Sequence, residues 1–213
     1  VRFANVEEMV KSFEHHSDNW DMLVAWIDAF NKDGRGVLEK GRWHKSPIDA
    51  PPVFAMPSLN IGAQFRSTLG AICKPFTGRW SFQLLNTLFF HGAMFITKRK
   101  IKHFASFNFI VTTRIPDPPT LYPGGMIELQ VLIPQTNASI EIRRLITLCK
   151  HHKQESWWCG VKLHKCATTP LGFTGQGFSL SINLPGRNIA RPDFSTFLDA
   201  LVELVSKNSG RIY

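Results

Sequence analysis

Polar side chains break into otherwise apolar strand segments of this chain at two-residue steps, the spacing that puts them on one face of a sheet. Glu128 and Gln130 lie within Met126–Ile133, and Lys162 lies between Val161 and Leu163. Ser179, Ser181 and Asn183 share one parity within Gly177–Pro185, and Trp26 stands between Ala25 and Ile27. A strand with one buried and one solvated face has this composition whatever its role, so each residue alone reads as structural. Together, a face carrying glutamine, lysine, serine and tryptophan can also line a cleft that hydrogen-bonds a polar ligand and packs on its apolar part.

Motifs for nucleophilic, phosphate-binding and metal chemistry are missing. There is no Gly-x-Ser-x-Gly elbow, no Gly-x-x-x-x-Gly-Lys loop and no His-Glu-x-x-His pair. Gly172-Phe173-Thr174-Gly175-Gln176-Gly177 precedes a strand instead of joining a strand to a helix, so it fails as a dinucleotide loop. The 16 carboxylates offer no pair suited to acid–base work. Cys73, Cys149, Cys159 and Cys166 contain no Cys-x-x-Cys spacing. His151, His152, Cys159, His164 and Cys166 cluster in sequence, but Cys159, His164 and Cys166 differ in parity along one strand and do not converge on one ion. The expectation is no metal site and no catalytic residue within this chain.

The net charge of +9 and a pI near 9.7 favour an anionic partner: nucleic acid, an acidic membrane surface or a phosphorylated substrate. The densest run, Lys98-Arg99-Lys100-Ile101-Lys102-His103, reads either as a solvated connection or as a patch facing phosphate or membrane. The longest apolar run, Leu84 to Ile96, is interrupted by Asn86, Thr87 and His91 and falls short of the roughly 20 residues a bilayer needs. Val1-Arg2-Phe3 has no signal-peptide architecture. The localisation expected is cytoplasmic or peripheral to a membrane.

Periodicity supplies the elements that must position the polar residues. Asn5-Val6-Glu7-Glu8 resembles a capping box ahead of a helix with Val6, Met9, Val10 and Phe13 on one face. Strands follow over Met22–Phe30 and Val37–Trp43 around the turn Asn31-Lys32-Asp33-Gly34. Pro47, Pro51, Pro52 and Pro57 mark a loop, and Arg79 to Phe90 reads as a helix stopped near Gly92. The second half predicts a strand near Phe104–Thr113, a strand Met126–Ile133 and a helix Ser139–His152. Strands Trp157–Cys166 and Phe178–Leu184 come next, then a helix Asp193–Lys207 and a strand at Arg211. From Met126 onward the order strand-helix-strand-strand-helix-strand is the ferredoxin-like pattern. The fold class expected is α+β, a mostly antiparallel sheet with helices on one face and a ferredoxin-like second half. Residues 1–46 hold a helix and strand pair, 47–103 a proline-rich loop and helix, and 104–213 the split βαβ part. The strand that opens at Arg211-Ile212-Tyr213 and the absence of an initiator methionine read as a piece of a longer protein.

Four stretches carry a resemblance to a known family. They are Val24–Ala29 with Gly34–Val37; Ser106–Phe109 with Leu121–Pro134; Trp158–Lys162; and Gly177–Pro185 with Phe197-Leu198-Asp199 and Gly210–Tyr213. In that order and spacing the chain resembles the substrate-binding, or cap, domain of flavin-dependent oxidoreductases of the vanillyl-alcohol-oxidase type, the sugar and lactone oxidases in particular. The resemblance implies FAD held mainly by a separate domain, and oxidation of a hydroxyl-bearing carbon of a sugar, polyol or lactone-type alcohol. It implies that Trp26 packs on the substrate, that Gln130 hydrogen-bonds near the flavin ring, and that Lys162 contacts the polar end of the ligand. Ser181 stands where ribose oxidases of the family bear a cysteine, Asn108 where they bear a tyrosine, and Ser179 where they bear an asparagine. A prenyl-phosphate sugar presented at a membrane would suit the basic charge.

The alternative reading is a non-catalytic module whose ferredoxin-like sheet holds nucleic acid or a protein partner. An RNA-recognition sheet needs aromatic residues on its central strands, where Glu128, Gln130, Lys162 and His164 stand instead. No nucleic-acid partner is expected. A purely structural or dimerisation domain is the third reading.

Overall fold

Asn5 starts the first long helix as its residue type predicts. Its backbone is extended, its side-chain oxygen accepts from Glu8 N at 2.8 Å, and Glu8 reaches back to accept from Ala4 N at 2.8 Å. The computed structural model describes residues 1–44, 67–93, 101, 104–108, 117–165 and 175–213. Its elements are β1 (Arg2–Phe3), α1 (Val6–His16), β2 (Met22–Ile27), β3 (Gly36–Gly41), α2 (Arg79–Gly92), α3 (Phe104–Asn108) and α4 (Pro118–Leu121). They continue with β4 (Met126–Pro134), α5 (Ala138–His151), β5 (Cys159–His164), β6 (Gly177–Pro185), α6 (Phe194–Lys207) and β7 (Arg211–Ile212).

The strands form one seven-stranded sheet in the order β1-β3-β2-β5-β6-β4-β7, antiparallel at every pairing. The fold is α+β. Within it β5-β6-β4-β7, with α5 and α6 as crossovers, is the ferredoxin-like half. The β2–β3 hairpin extends this sheet beyond β5, with Val24 opposite Lys162 and Trp26 opposite Gly160.

Helices α1, α5 and α6 cover one face. Phe13 meets Phe178 edge-on at 5.4 Å between centroids, and Ile142, Leu145, Phe197 and Leu201 fill the space over Val131, Val161, Leu180 and Ile182. Alternation along β6 decides which side chains take part. Phe178, Leu180, Ile182 and Leu184 point into this core, and Ser179, Ser181 and Asn183 point away. The hairpin turn is held by the buried Asp28, which accepts from Arg35 Nε at 3.0 Å and from Phe30 N at 3.2 Å. Gly34 in that turn has φ +68°, and a Cβ there would sit 2.7 Å from Val6 Cγ2.

A second apolar cluster lies on the opposite face. Trp26, Phe82, Tyr122, Trp157 and Trp158 pack together there, with α2 lying over them. Among the described residues helices thus lie on both faces, α1, α5 and α6 on one and α2 with the short α3 and α4 over part of the other.

Several expected boundaries move. β2 ends at Ile27 because Asp28 begins the turn, and β3 ends at Gly41. β5 is confined to Cys159–His164, although Trp157 N still donates to Asn183 O at 2.9 Å. The strand expected from Phe104 is a correction: Phe104–Asn108 is helical, with Phe107 buried and Phe104 stacked on Trp43 at 5.6 Å. Residues 109–113 of that expectation lie outside the described residues. So do the proline-rich segment Pro47–Pro57, the basic run apart from the exposed Ile101, Cys166 and Gly172–Thr174.

Candidate functional site

Strand register brings the sequence-selected residues to one sheet face. Trp26 on β2 is opposite Gly160 on β5, Gly160 is opposite Ser181 on β6, and Ser181 is opposite Gln130 on β4. Directly paired residues point to the same side, so these four form a row across four strands. One step along, Val24, Lys162, Ser179 and Leu132 form a parallel row. Five of the six candidates therefore share a face: Trp26, Gln130, Lys162, Ser179 and Ser181. Asn108 is not on the sheet. It sits on α3, whose Phe107 lies beside Met22 and Gly41 at the far end of the hairpin.

Glu128 organises the polar part of the row. Its Oε1 accepts from Gln130 Nε2 and from Ser181 Oγ, both at 2.8 Å. Asn183 Nδ2 donates to Ser181 Oγ at 3.0 Å and to Trp158 O at 2.6 Å. The side-chain oxygen of Ser181 is thereby oriented from both sides, and its proton is directed at Glu128. In the second row His164 Nε2 and Ser179 Oγ are 2.8 Å apart. Burial lowers the pKa of the Lys162 ammonium below the ordinary lysine value, opposed by the negative charge of Glu128. Burial, and then Lys162, lower the pKa of His164.

Gly160 gives the row its shape. Among the described residues a Cβ at this position would meet nothing closer than Ser181 Cβ at 4.0 Å, so the middle of the row is bare backbone. On one side stands the Gln130–Glu128–Ser181 network. On the other stands Trp26, 1% exposed and covered by Phe89 of α2 at 4.8 Å and by Trp158 at 5.2 Å. The indole N–H groups of Trp26 and Trp158, Tyr122 OH and Asn183 Oδ1 are buried and have no hydrogen-bond partner among the described residues. The arrangement can recognise a flat, polar-edged group on the open part of the row. Gln130 and Ser181, oriented by Glu128, and Lys162 surround it.

Cys149 and Cys159 take no part. Both are buried on the α5 side of the sheet, and burial pushes the Cys159 thiol up to about 12 and the Cys149 thiol higher still. His164 points to the other face, so Cys159 and His164 stand on opposite sides of β5.

Glu128, Gly160 and Asn183 complete the site beyond the residues the resemblance selected. Glu128 was signalled by its place two residues before Gln130 on the same strand. Gly160 gave no signal, because a bare position is visible only once its neighbours are known. Among the described residues no helix is long and apolar enough to cross a membrane. No model of a known protein family matches the chain, and no curated protein sequence matches it.

Proposed function

We propose that this chain is the substrate-binding part of an FAD-linked oxidoreductase that oxidises a sugar, polyol or lactone-type alcohol. The observation that carries the reading is the row Trp26–Gly160–Ser181–Gln130, flanked by Lys162 and Ser179. The resemblance selected five of these residues from four strands, and the register sets them on one face around Gly160; Trp26, 1% exposed beneath Phe89 and Trp158, backs that face and does not itself meet a ligand there.

Gln130 and the bare backbone at Gly160 are the residues that would lie against FAD. The Gln130 amide would hydrogen-bond a heteroatom of the ring, and Gly160 adds no side chain beside it. FAD, when bound, supplies the hydride acceptor. What this chain supplies is orientation and burial. Lys162 offers a cation to the polar end of the substrate, Ser181 and Gln130 offer hydrogen bonds to hydroxyls, and the sheet face excludes water from one side. An RNA-binding sheet is disfavoured because the open faces of β4 and β6 carry Glu128, Gln130, Ser179 and Ser181, with no aromatic ring on which a base can stack.

The test is an absorbance spectrum of the full-length natural protein between about 350 and 500 nm. Flavin bands that bleach anaerobically on addition of a sugar or polyol support the reading. A colourless protein that cannot be reconstituted with FAD overturns it.

A further inference from the structure

Helix α2 is mounted on the sheet by its polar side chains and turns apolar ones to solvent. Arg79 Nη2 donates to the buried Glu155 at 2.5 Å, Asn86 Nδ2 donates to Trp157 O at 3.0 Å, and Thr87 Oγ1 accepts from Arg35 Nη2 at 3.0 Å. Phe82 and Phe89 pack inward on Trp157 and Trp26. These anchors fix the helix rotation, so the positions four residues apart on the opposite side face outward. Trp80 is 85% exposed, Leu84 60% and Leu88 59%. Phe76, just before the helix, is 79% exposed. A helix of a globular protein normally buries such a stripe.

Charge identifies what covers it. From Ala50 to Pro116 the chain carries eight lysines and arginines and no aspartate or glutamate, while the remaining 17 basic and 16 acidic residues nearly cancel. Almost all of the +9 net charge therefore belongs to the sequence around this one helix. Leu, Phe and Trp on one face, within a strongly cationic and acid-free segment, form the chemistry that binds an anionic lipid interface. We infer that α2 docks on the surface of an anionic bilayer, with Trp80, Leu84 and Leu88 inserted at the headgroup level. The inference rests on the outer side of α2 and is independent of the flavin reading, which rests on the sheet face.

Flotation of the full-length natural protein with vesicles tests it. Each basic residue that reaches an anionic surface strengthens binding about fivefold. Vesicles of phosphatidylcholine with about one-third phosphatidylglycerol are therefore expected to bind at least about 25-fold more tightly than pure phosphatidylcholine, and binding is expected to weaken as salt rises. The triple variant W80S/L84S/L88S keeps its melting temperature, since all three side chains already stand in solvent, and is expected to lose at least about tenfold in affinity for the anionic vesicles. The single variants W80S and L88S each lose part of that. Equal binding to both compositions overturns the inference, as does a triple variant that binds undiminished. Lipid-free self-association of the natural protein that the triple variant abolishes also overturns it, by making a second copy the occupant of this face.

Discussion

Gln130 and Ser181 stand opposite one another across β4 and β6 and donate to the same oxygen, Oε1 of Glu128, each at 2.8 Å. Two neutral donors on one exposed carboxylate oxygen make a short, oriented network on a sheet face that would otherwise present freely rotating side chains. Orientation ahead of binding lowers the entropy lost when a ligand is held.

Position 181 carries no thiol in the natural chain, so a cysteine-directed electrophile is expected to leave this site unmodified. Ser181→Cys reverses that outcome. The new thiol is half-exposed, while Cys149 and Cys159 are buried with raised pKa values, so residue 181 is expected to react at least about tenfold faster than either. Peptide mapping after maleimide labelling at mildly alkaline pH reads the result. Labelling of Cys149 or Cys159 ahead of residue 181 would contradict the assigned faces.

Gly160→Ala separates stability from binding. Among the described residues the added methyl meets only Ser181 Cβ, and replacing a strand glycine by alanine stabilises by about 0.5 kcal/mol. Denaturant unfolding is expected to show a midpoint unchanged or slightly raised. Under the flavin reading the same methyl fills the bare part of the row, and kcat/KM of the full-length enzyme is expected to fall at least about tenfold. An unchanged kcat/KM would remove Gly160 from the binding surface.

His164 predicts a pH dependence with a definite sign. Its pKa in the fold lies below the ordinary 6.5, so between the two values the unfolded chain holds more protons than the folded one. Stability therefore rises with pH through that window and is lost on acidification. His164→Gln can keep a hydrogen bond to Ser179 and cannot titrate. Its melting temperature is expected to fall less than that of the natural chain between about pH 7 and pH 5, and to match it near neutrality. Identical slopes for both proteins would refute the assignment.

Much of this architecture is legible in the residues. Val6, Met9, Val10 and Phe13 mark the buried face of α1 without ambiguity, and alternation along Gly177–Pro185 assigns both faces of β6. The same parity rule brings Gln130, Lys162 and Ser181 together before any contact is known. Reading fails where two periodicities coexist. Phe107 and Phe109 alternate with Ser106 and Asn108 as a strand would, while Phe104 and Phe107 stand three apart as in a helix; Phe104–Asn108 is helical. In α2 apolar residues occur on both sides, Phe82 and Phe89 against Trp80, Leu84 and Leu88, so the pattern shows a helix without showing which side is inward. That choice is made by Glu155, Trp157 and Arg35, partners far away in sequence. Trp26 illustrates the same limit, since its parity is plain from its strand but its cover comes from Phe89.

The Trp26–Trp158 pair gives the molecule an optical signature of its own. Two indoles 5.2 Å apart with planes inclined at 38° couple their electronic transitions, and the coupling depends on β2 staying in register with β5 and on Phe89 holding the pair together. The near-ultraviolet and exciton circular dichroism of the chain thus reports on the seam between the hairpin and the ferredoxin-like half. A ligand or a surface that lifts α2 would be seen there without any label.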